Sequence, residues 1–294
     1  MPDASDFNTS QKPTWCPGCG NFGMWEALKR AISELEWEKE SFSVVWGIGC
    51  HGNGADFLDV QGMHALHGRA LPPATALALT RPDLNVIVEM GDGDGYGLGL
   101  GHFVHSARRN VNLTCIAHNN QIYGLTTGQA SPTTDKLMPT VSTPQGVLEN
   151  PVNPIGLALA EGATFVARGF AGDIAHLKDL YKQALTHKGF ALVDVFQPCV
   201  TWNKLNTFKW FKERVYRLDE RGWDTSDRNA ALQLSMTTFH ELTCTPEECQ
   251  VPLGIYFRET GTPTYADGLT STTVPGYQRA ARPRDIRKIM ESMT

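Results

Sequence analysis

Short apolar runs rich in β-branched residues recur along the first 200 residues. They cover 42–49, 85–93, 111–120, 163–169 and 190–199, and stretches of helical periodicity cover 21–38, 68–80, 97–109, 154–161 and 173–187. Strands that alternate with helices indicate βαβ units. The runs lack polar alternation, which is typical of strands covered on both faces. The predicted fold is therefore α/β, with a mostly parallel sheet and helices on both faces.

The pattern divides the chain into two parts. Residues 1–200 carry the alternation, and residues 201–294 form a predicted C-terminal extension that packs on this domain. Within the extension, the sequence predicts a helix over 203–220 and an arm over 275–290. The segment 124–152 is rich in Gly, Ser, Thr and Pro, so it is predicted to be a long loop. A loop of that length in a compact domain is usually functional.

Charge and cysteine content narrow the functional classes. The net charge is −5 and the pI is near 6, which argues against a nucleic-acid binder. No apolar run reaches 18 residues and the N-terminus is polar, so we expect a cytoplasmic protein with reduced thiols. Seven cysteines, an odd number, argue against a disulfide framework and leave metal, cluster or redox roles.

A glycine-rich turn follows one of the apolar runs. The sequence "VIVEM" leads into "GDGDGYGLGLG" and then into a predicted helix, an arrangement that suits a bound phosphate. The glycines do not fit the dinucleotide spacing G-x-G-x-x-G. The carboxylates of Asp92 and Asp94 would repel a bare diphosphate. A Mg²⁺ ion between a carboxylate and the diphosphate would remove this repulsion.

Asn120 lies 28 positions after Asp92 (120 − 92), at the predicted end of the next strand. Both side chains are thus expected at the edge where open α/β sheets bind ligands. The pattern "GDG" followed by "NN" resembles the thiamine-diphosphate motif. The resemblance implies that Asp92, Asn120 and the carbonyl of Ile122 bind Mg²⁺, and that Gly93 and Asp94 offer backbone N–H groups to the diphosphate. The alternative is a plain packing turn.

The cysteines suggest a second centre. Cys50 and Cys199 follow strands predicted to end at the same edge, and Cys16 and Cys19 form a CxxC pair. Four thiolates suit either Zn²⁺ or a [4Fe–4S] cluster. One local pair with two isolated cysteines beside Gly or Pro favours the cluster, and a disulfide is the third option. The remaining cysteines, Cys115 in a strand and Cys244 and Cys249 in a polar loop, are interpreted as structural.

Thiamine and cluster motifs together point to one family. The motifs "WCPGCG", "GIGCHGN", "LHGRALPPATALAL", "GDGDGYGLG", "NNQIYGLTTGQ" and "FQPCVTWN" occur in this order, and the chain resembles the β subunit of 2-oxoacid:ferredoxin oxidoreductases. The resemblance implies that Cys16, Cys19, Cys50 and Cys199 bind one [4Fe–4S] cluster beside the thiazolium. It implies oxidative decarboxylation of a 2-oxoacid, with coenzyme A taking the acyl group and ferredoxin the electrons. The reverse reaction would fix CO₂, as in a reverse TCA cycle.

The resemblance also assigns individual residues. In the family, the residue at the position of Leu125 lies near the thiazolium, and better-known members have a substrate-holding Lys at the position of Asn53. His51 and His67 are expected near the edge of the sheet where the ligands bind. Segment 201–218 resembles the 2-oxoglutarate type, with pyruvate or a broad 2-oxoacid range as alternatives. The expected catalytic residues are His67, Leu125 and Asn53, and the expected cofactor-binding residues are Gly91, Asp92, Gly93, Asp94, Asn120, Ile122, Tyr123, Gly124, Leu125, Thr126, Cys50, His51 and His67.

A partner chain is expected. Thiamine needs an activating glutamate from a facing domain, and 294 residues leave no room for a second α/β domain of ~150 residues. The resemblance implies an α subunit that supplies this glutamate and binds coenzyme A, in an αβ unit or a dimer of such units. The rival hypotheses are a thiamine decarboxylase or lyase without electron transfer, and an electron-transfer subunit with an empty thiamine site.

Overall fold

A computed structural model describes residues 2–237 and 245–269. The predicted arm over 275–290 and Cys244 lie outside the described residues. The strands are β1 Phe42–Trp46, β2 Gly62–His64, β3 Asn85–Gly91, β4 Leu113–Asn119, β5 Phe165–Phe170, β6 Phe190–Phe196, β7 Val215–Arg217 and β8 Val251–Arg258. The α-helices are α1 Asn21–Glu34, α2 Gly54–Phe57, α3 Leu71–Thr80, α4 Leu100–Arg108, α5 Pro154–Ala160, α6 Ile174–Leu185, α7 Phe208–Lys212, α8 Arg228–Ser235 and α9 Tyr265–Leu269.

The strands form one sheet in the order β2-β1-β3-β4-β6-β5-β8-β7. Every pairing between these neighbours is parallel except that of β5 with β8. The register aligns Gly91 of β3 with His118 of β4, and Asn119 of β4 with Phe196 of β6. The carboxyl ends of the central strands therefore meet at one edge, where ligands bind in sheets of this kind.

Helices cover both faces of the sheet. Helices α1 and α6 bury one apolar stripe against one face, where Ile32 and Leu177 meet strand residues such as Ile87. Helices α3, α4 and α5 cover the other face, where Phe103 is fully buried beside Val88. Strands β3, β4, β5 and β6 are buried almost throughout, which explains their continuous apolar runs. The predicted α/β fold class is confirmed.

The helix predicted over 203–220 is wrong. The only α-helix in this range is Phe208–Lys212, with the Thr207 side chain accepting a hydrogen bond from the Trp210 N–H, and a short 3-10 helix begins at Asp219. Val215–Arg217 instead pairs as β7 with β8. Phe211 is buried against Phe170 and Phe196, so tertiary packing overrides the local helical pattern.

Strand β8 joins β5 in the same sheet, so the described part of residues 201–294 continues the main sheet. The division at residue 200 stays a prediction. In the described residues, no helix is both long enough and apolar enough to cross a lipid bilayer.

Candidate active site

The carboxyl ends of β1, β3, β4 and β6 surround a cavity of about 100 Å³. All the expected cofactor-binding residues line it, from the segments Cys50–His51, His67, Gly91–Asp94 and Asn120–Thr126. Ile48, Gly49, His118 and Gln197 complete the lining. Asn53, expected to be catalytic, does not line this cavity; it lies half-buried at the start of α2.

Asp92 follows β3 and is almost completely buried. Its Oδ2 accepts hydrogen bonds from the Ser131 Oγ at 2.5 Å and the Thr133 Oγ1 at 2.7 Å. Burial raises the pKa of Asp92 to about 6, although the two hydroxyl groups lower it in part. A buried carboxylate whose ionised form is disfavoured gains from a bound cation.

The chain turns sharply between the two proposed magnesium ligands that follow β4. Gln121 separates Asn120 from Ile122 and has a φ of 60°, a left-handed conformation that is rare outside glycine. The buried side chain of Gln121 donates to the Asp135 Oδ1 at 2.7 Å and to the Thr133 carbonyl. Backbone strain held by such contacts is typical of ligand sites.

Asp94 connects several segments around the cavity. Its Oδ1 accepts hydrogen bonds from the Gly68 N–H at 2.7 Å and the Ile48 N–H at 3.2 Å, and it lies 2.7 Å from the His67 Nδ1. Its Oδ2 lies so close to Gly47 that a Cβ there would be 1.8 Å away. The Asp94 side chain thus organises the loops, while its backbone lies in the first turn of the π-helix Gly93–Leu98.

Two buried polar atoms at the cavity have no hydrogen-bond partner among the described residues. They are the Nε2 of His51 and the Oδ2 of Asp94, which lie 3.9 Å apart. Burial lowers the pKa of His51 well below its usual value, so the ring is neutral at pH 7. Buried polar groups are normally paired, so these two atoms are suited to a polar ligand in the cavity.

Sequence reasoning missed a buried pair, His118 in the cavity lining and Glu89 beside it. The His118 Nε2 lies 2.7 Å from the Glu89 Oε2, and its Nδ1 lies 3.0 Å from the Asn21 Oδ1. It also missed Ser131, Thr133 and Gln197. Two features of the sequence point to some of these residues. One is a Glu in the middle of an apolar strand, and the other is the hydroxyl-rich loop after β4.

Two of the cysteine thiols converge beside Gly124. A Cβ at Gly124 would lie 3.5 Å from the Cys199 Sγ and 3.7 Å from the Cys50 Sγ. Burial, with smaller contributions from the nearby Cys199, Cys50 and Cys16, raises the pKa of Cys19 to about 12. Burial likewise raises the pKa of Cys50 to about 11, with added effects from Cys199 and Cys16. All four cysteines therefore lie within electrostatic range of one another.

The state of the cysteines bears on the choice between a disulfide, a zinc ion and an iron–sulfur cluster. Cys16, Cys19, Cys50 and Cys199 are free thiols, so the CxxC pair is not a disulfide here. In residues 2–237 and 245–269, no three His, Cys, Asp or Glu side chains lie close enough to hold a single metal ion. The other cysteines differ: Cys115 is fully buried in the core, and Cys249 is buried and disulfide-bonded.

Two family models match the chain. The thiamine pyrophosphate enzyme C-terminal TPP-binding domain matches residues 47–195, and the C-terminal region of the pyruvate ferredoxin oxidoreductase β subunit matches residues 199–273. The first match includes every residue of the cavity lining except Gln197.

The chain is also similar to individual proteins. It is 43% identical over 277 residues to a 2-oxoacid:ferredoxin oxidoreductase β subunit from Sulfolobus sp, covering 92% of this chain and 89% of that one. It is 43% identical over 198 residues to the 2-oxoglutarate oxidoreductase subunit KorB from Mycobacterium tuberculosis. That match covers 67% of this chain and 53% of the relative.

A solved structure gives a similar result. A 2-oxoglutarate:ferredoxin oxidoreductase from Magnetococcus marinus, with 2-oxoglutarate, coenzyme A and succinyl-CoA bound, is 38% identical with a TM-score of 0.88. The match covers 100% of this chain and 96% of that chain. The fold, the match to the thiamine domain and the sequence identity over most of the chain all point to one family. The chain therefore belongs to the β subunits of the 2-oxoacid:ferredoxin oxidoreductases.

Proposed function

We propose that this β subunit binds thiamine diphosphate, Mg²⁺ and one [4Fe–4S] cluster, and that with an α subunit it oxidises 2-oxoglutarate to succinyl-CoA and CO₂. Ferredoxin receives the electrons, and the reverse reaction would fix CO₂. One observation carries the proposal: the residues of the diphosphate motif and Cys50 line a single cavity, and the other three cysteines lie near Cys50 or one another.

The residues of the cavity fit the thiamine cofactor. Asp92, Asn120 and the Ile122 carbonyl offer the oxygen donors that Mg²⁺ prefers. The raised pKa of Asp92 and the unpaired atoms of His51 and Asp94 support a polar ligand in this space. When bound, thiamine diphosphate supplies the carbanion that adds to the keto carbon of the 2-oxoacid.

The four thiols fit the cluster better than they fit a single zinc ion. Cys19, Cys50 and Cys199 are half-buried or buried, and Cys199 contributes to the raised pKa of both Cys19 and Cys50. The raised pKa values of Cys19 and Cys50 mean that a positive iron centre is needed to hold these two as thiolates. Among the described residues no group of three or more His, Cys, Asp or Glu side chains is arranged to hold a single ion, whereas a cubane separates its four sulfur ligands. The proximity of Gly124 to two thiols, each within 3.7 Å of a Cβ built there, supports a cluster beside the thiamine loop.

The substrate proposal rests on the relatives. The Mycobacterium tuberculosis and Magnetococcus marinus proteins are named for 2-oxoglutarate, whereas the Sulfolobus protein is named for 2-oxoacids in general. A broad 2-oxoacid range, with pyruvate included, is therefore the second candidate. Leu125, which lines the cavity and is half exposed, and His67 are the side chains proposed to contact substrate or thiazolium.

An α subunit is part of the proposal because the cavity lacks a glutamate. Its described lining has only two carboxylates, Asp92 and Asp94, and both are engaged by the chain itself. Glu89 lies behind His118 and is paired with it. The glutamate that activates the aminopyrimidine should therefore come from the partner, which packs on this edge.

The test compares the chain alone with the co-expressed α and β chains. Both are purified anaerobically, analysed for iron, supplied with Mg²⁺ and thiamine diphosphate, and assayed with a panel of 2-oxoacids, coenzyme A and a redox dye. We expect four iron atoms per β chain, no turnover by β alone, and the fastest turnover of the complex with 2-oxoglutarate. Turnover by β alone would contradict the partner proposal, and CO₂ release without dye reduction would favour the non-redox alternative.

A further inference from the structure

We propose that Gln197 is a positioning residue that links the magnesium site to the cluster. Its amide orients the side chain of Asn120 and also donates a hydrogen bond to the Cys19 sulfur, which raises the reduction potential of the cluster. The inference rests on the proposed function, and it concerns a residue that lies between the two centres.

The orientation of the Gln197 amide follows from its neighbours. Gln197 is 1% exposed, and its Nε2 lies 3.3 Å from the Cys19 Sγ and 3.2 Å from the Pro198 carbonyl. A carbonyl can only accept a hydrogen bond, so the NH₂ group must face that side. The Oε1 then faces the Asn120 Nδ2 at 3.1 Å and accepts its N–H.

The bond to Gln197 determines which atom Asn120 offers to a cation. The Asn120 Oδ1 accepts the Ile122 N–H at 3.1 Å, while its Nδ2 is directed at Gln197. Only the oxygen of an asparagine can bind Mg²⁺. A rotated amide would turn NH₂ toward the ion, so an acceptor at Gln197 keeps the oxygen available.

The bond to Cys19 acts on the cluster. Hydrogen bonds to a thiolate ligand stabilise the reduced cluster, which carries more negative charge, and so raise its potential. Gly20 permits this approach, because a Cβ there would lie 2.9 Å from the Gln197 Cγ and 3.1 Å from its Nε2.

Two substitutions separate the roles. In the reconstituted complex, Gln197→Leu removes both hydrogen bonds, whereas Gln197→Glu keeps an acceptor for Asn120 but loses the N–H donor to sulfur. We expect both variants to shift the reduction equilibrium about tenfold toward the oxidised cluster, which is 59 mV for one electron. Thiamine affinity in the presence of Mg²⁺ should fall about tenfold or more in Gln197→Leu and stay near wild type in Gln197→Glu.

The matched control is Gln183→Leu on α6, where the glutamine amide bonds to Asp179 and Arg258 instead. It should change neither the EPR-monitored potential nor the affinity. Unchanged potentials in both Gln197 variants would overturn the inference.

A measurement on the wild type avoids dependence on the variants. When the glutamine side-chain amides carry ¹⁵N, pulsed EPR of the reduced cluster should show coupling to a ¹⁵N nucleus. Absence of this coupling in a complex that contains the cluster would overturn the inference for Gln197 alone. Absence of iron from the wild-type complex would instead overturn the cluster proposal, and this inference with it.

Discussion

The Oγ1 of Thr133 lies 2.7 Å from the Oδ2 of Asp92, although the two residues are 41 positions apart. The same hydroxyl lies 2.9 Å from the Oδ1 of Asn119, at the end of β4. Thr133 therefore connects the ends of two neighbouring strands through the loop that follows the second one. It acts on the carboxylate that is proposed to bind Mg²⁺ and has no place of its own in the cavity lining.

We predict that Thr133→Val weakens thiamine binding. The substitution keeps the side-chain volume but removes a hydrogen bond that holds Asp92, and the loss of such a bond behind a metal ligand typically costs about 10- to 100-fold in affinity. Equilibrium titration of thiamine diphosphate in the presence of Mg²⁺ measures the effect. Thr186→Val is the control, since the Thr186 hydroxyl bonds to the Lys182 carbonyl at the end of α6. Equal affinity in both variants would contradict the role of Thr133.

The cysteine assignments are tested by iron content. We expect Cys16→Ser, Cys19→Ser, Cys50→Ser and Cys199→Ser each to lose or degrade the cluster, because each removes one of the four converging thiols. Cys115→Ala, in the core beside Met90, should keep wild-type iron. If all four serine variants also keep wild-type iron, the ligand set is wrong.

Substitution of Gly93, in the turn after β3, should affect thiamine binding far more than substitution of the nearby Gly101. A Cβ at Gly93 would lie 2.1 Å from the Tyr123 ring, whose hydroxyl donates to the Gly93 carbonyl at 3.0 Å. Gly93→Ala should therefore displace Tyr123 from the cavity wall and abolish measurable thiamine binding. Gly101→Ala, in α4 with no atom within 4 Å of the added Cβ, should bind normally and gain about 0.5–1 kcal/mol in the free energy of unfolding. Normal thiamine affinity of Gly93→Ala would contradict the predicted clash.

The stability of the chain should decrease in weak acid because of His187. Burial, with a further effect of Arg258, lowers the pKa of this histidine from 6.5 to about 4, and its Nε2 lies 2.8 Å from the Thr164 Oγ1. The unfolded chain thus binds more protons than the folded chain between pH 6.5 and about 4. The contribution is complete above pH 6.5 and is lost as the pH falls through this window.

We expect His187→Gln to reduce this pH dependence by about 1 kcal/mol, a value that allows for solvent screening of the part-exposed ring. Denaturant unfolding at several pH values between 4 and 7 measures it. An unaltered slope in the variant would show that His187 contributes nothing to acid sensitivity.

Local pattern was sufficient for the central fold. The five apolar runs became β1, β3, β4, β5 and β6 because their side chains are buried on both faces and need no polar alternation. The order of strand, glycine turn and helix also predicted that Asp92 and Asn120 would meet, since the carboxyl ends of parallel strands share one edge. The cofactor-binding residues inferred from the motif all line one cavity.

Tertiary structure alone decided the features that depend on partners distant in sequence. Residues 215–217 form a strand because their backbone pairs with that of β8. The residue periodicity within 203–220 carries no information about this pairing. Ser131, Thr133 and Gln197 act through hydrogen bonds to Asp92, Asn120 and Cys19, and such bonds depend on distances set only when the loops fold over the sheet. The sequence by itself determined which strands, turn and thiols could build the site. The packing of its loops decided which neighbouring side chains hold them, because hydrogen bonds require contact within about 3 Å whatever the separation along the chain.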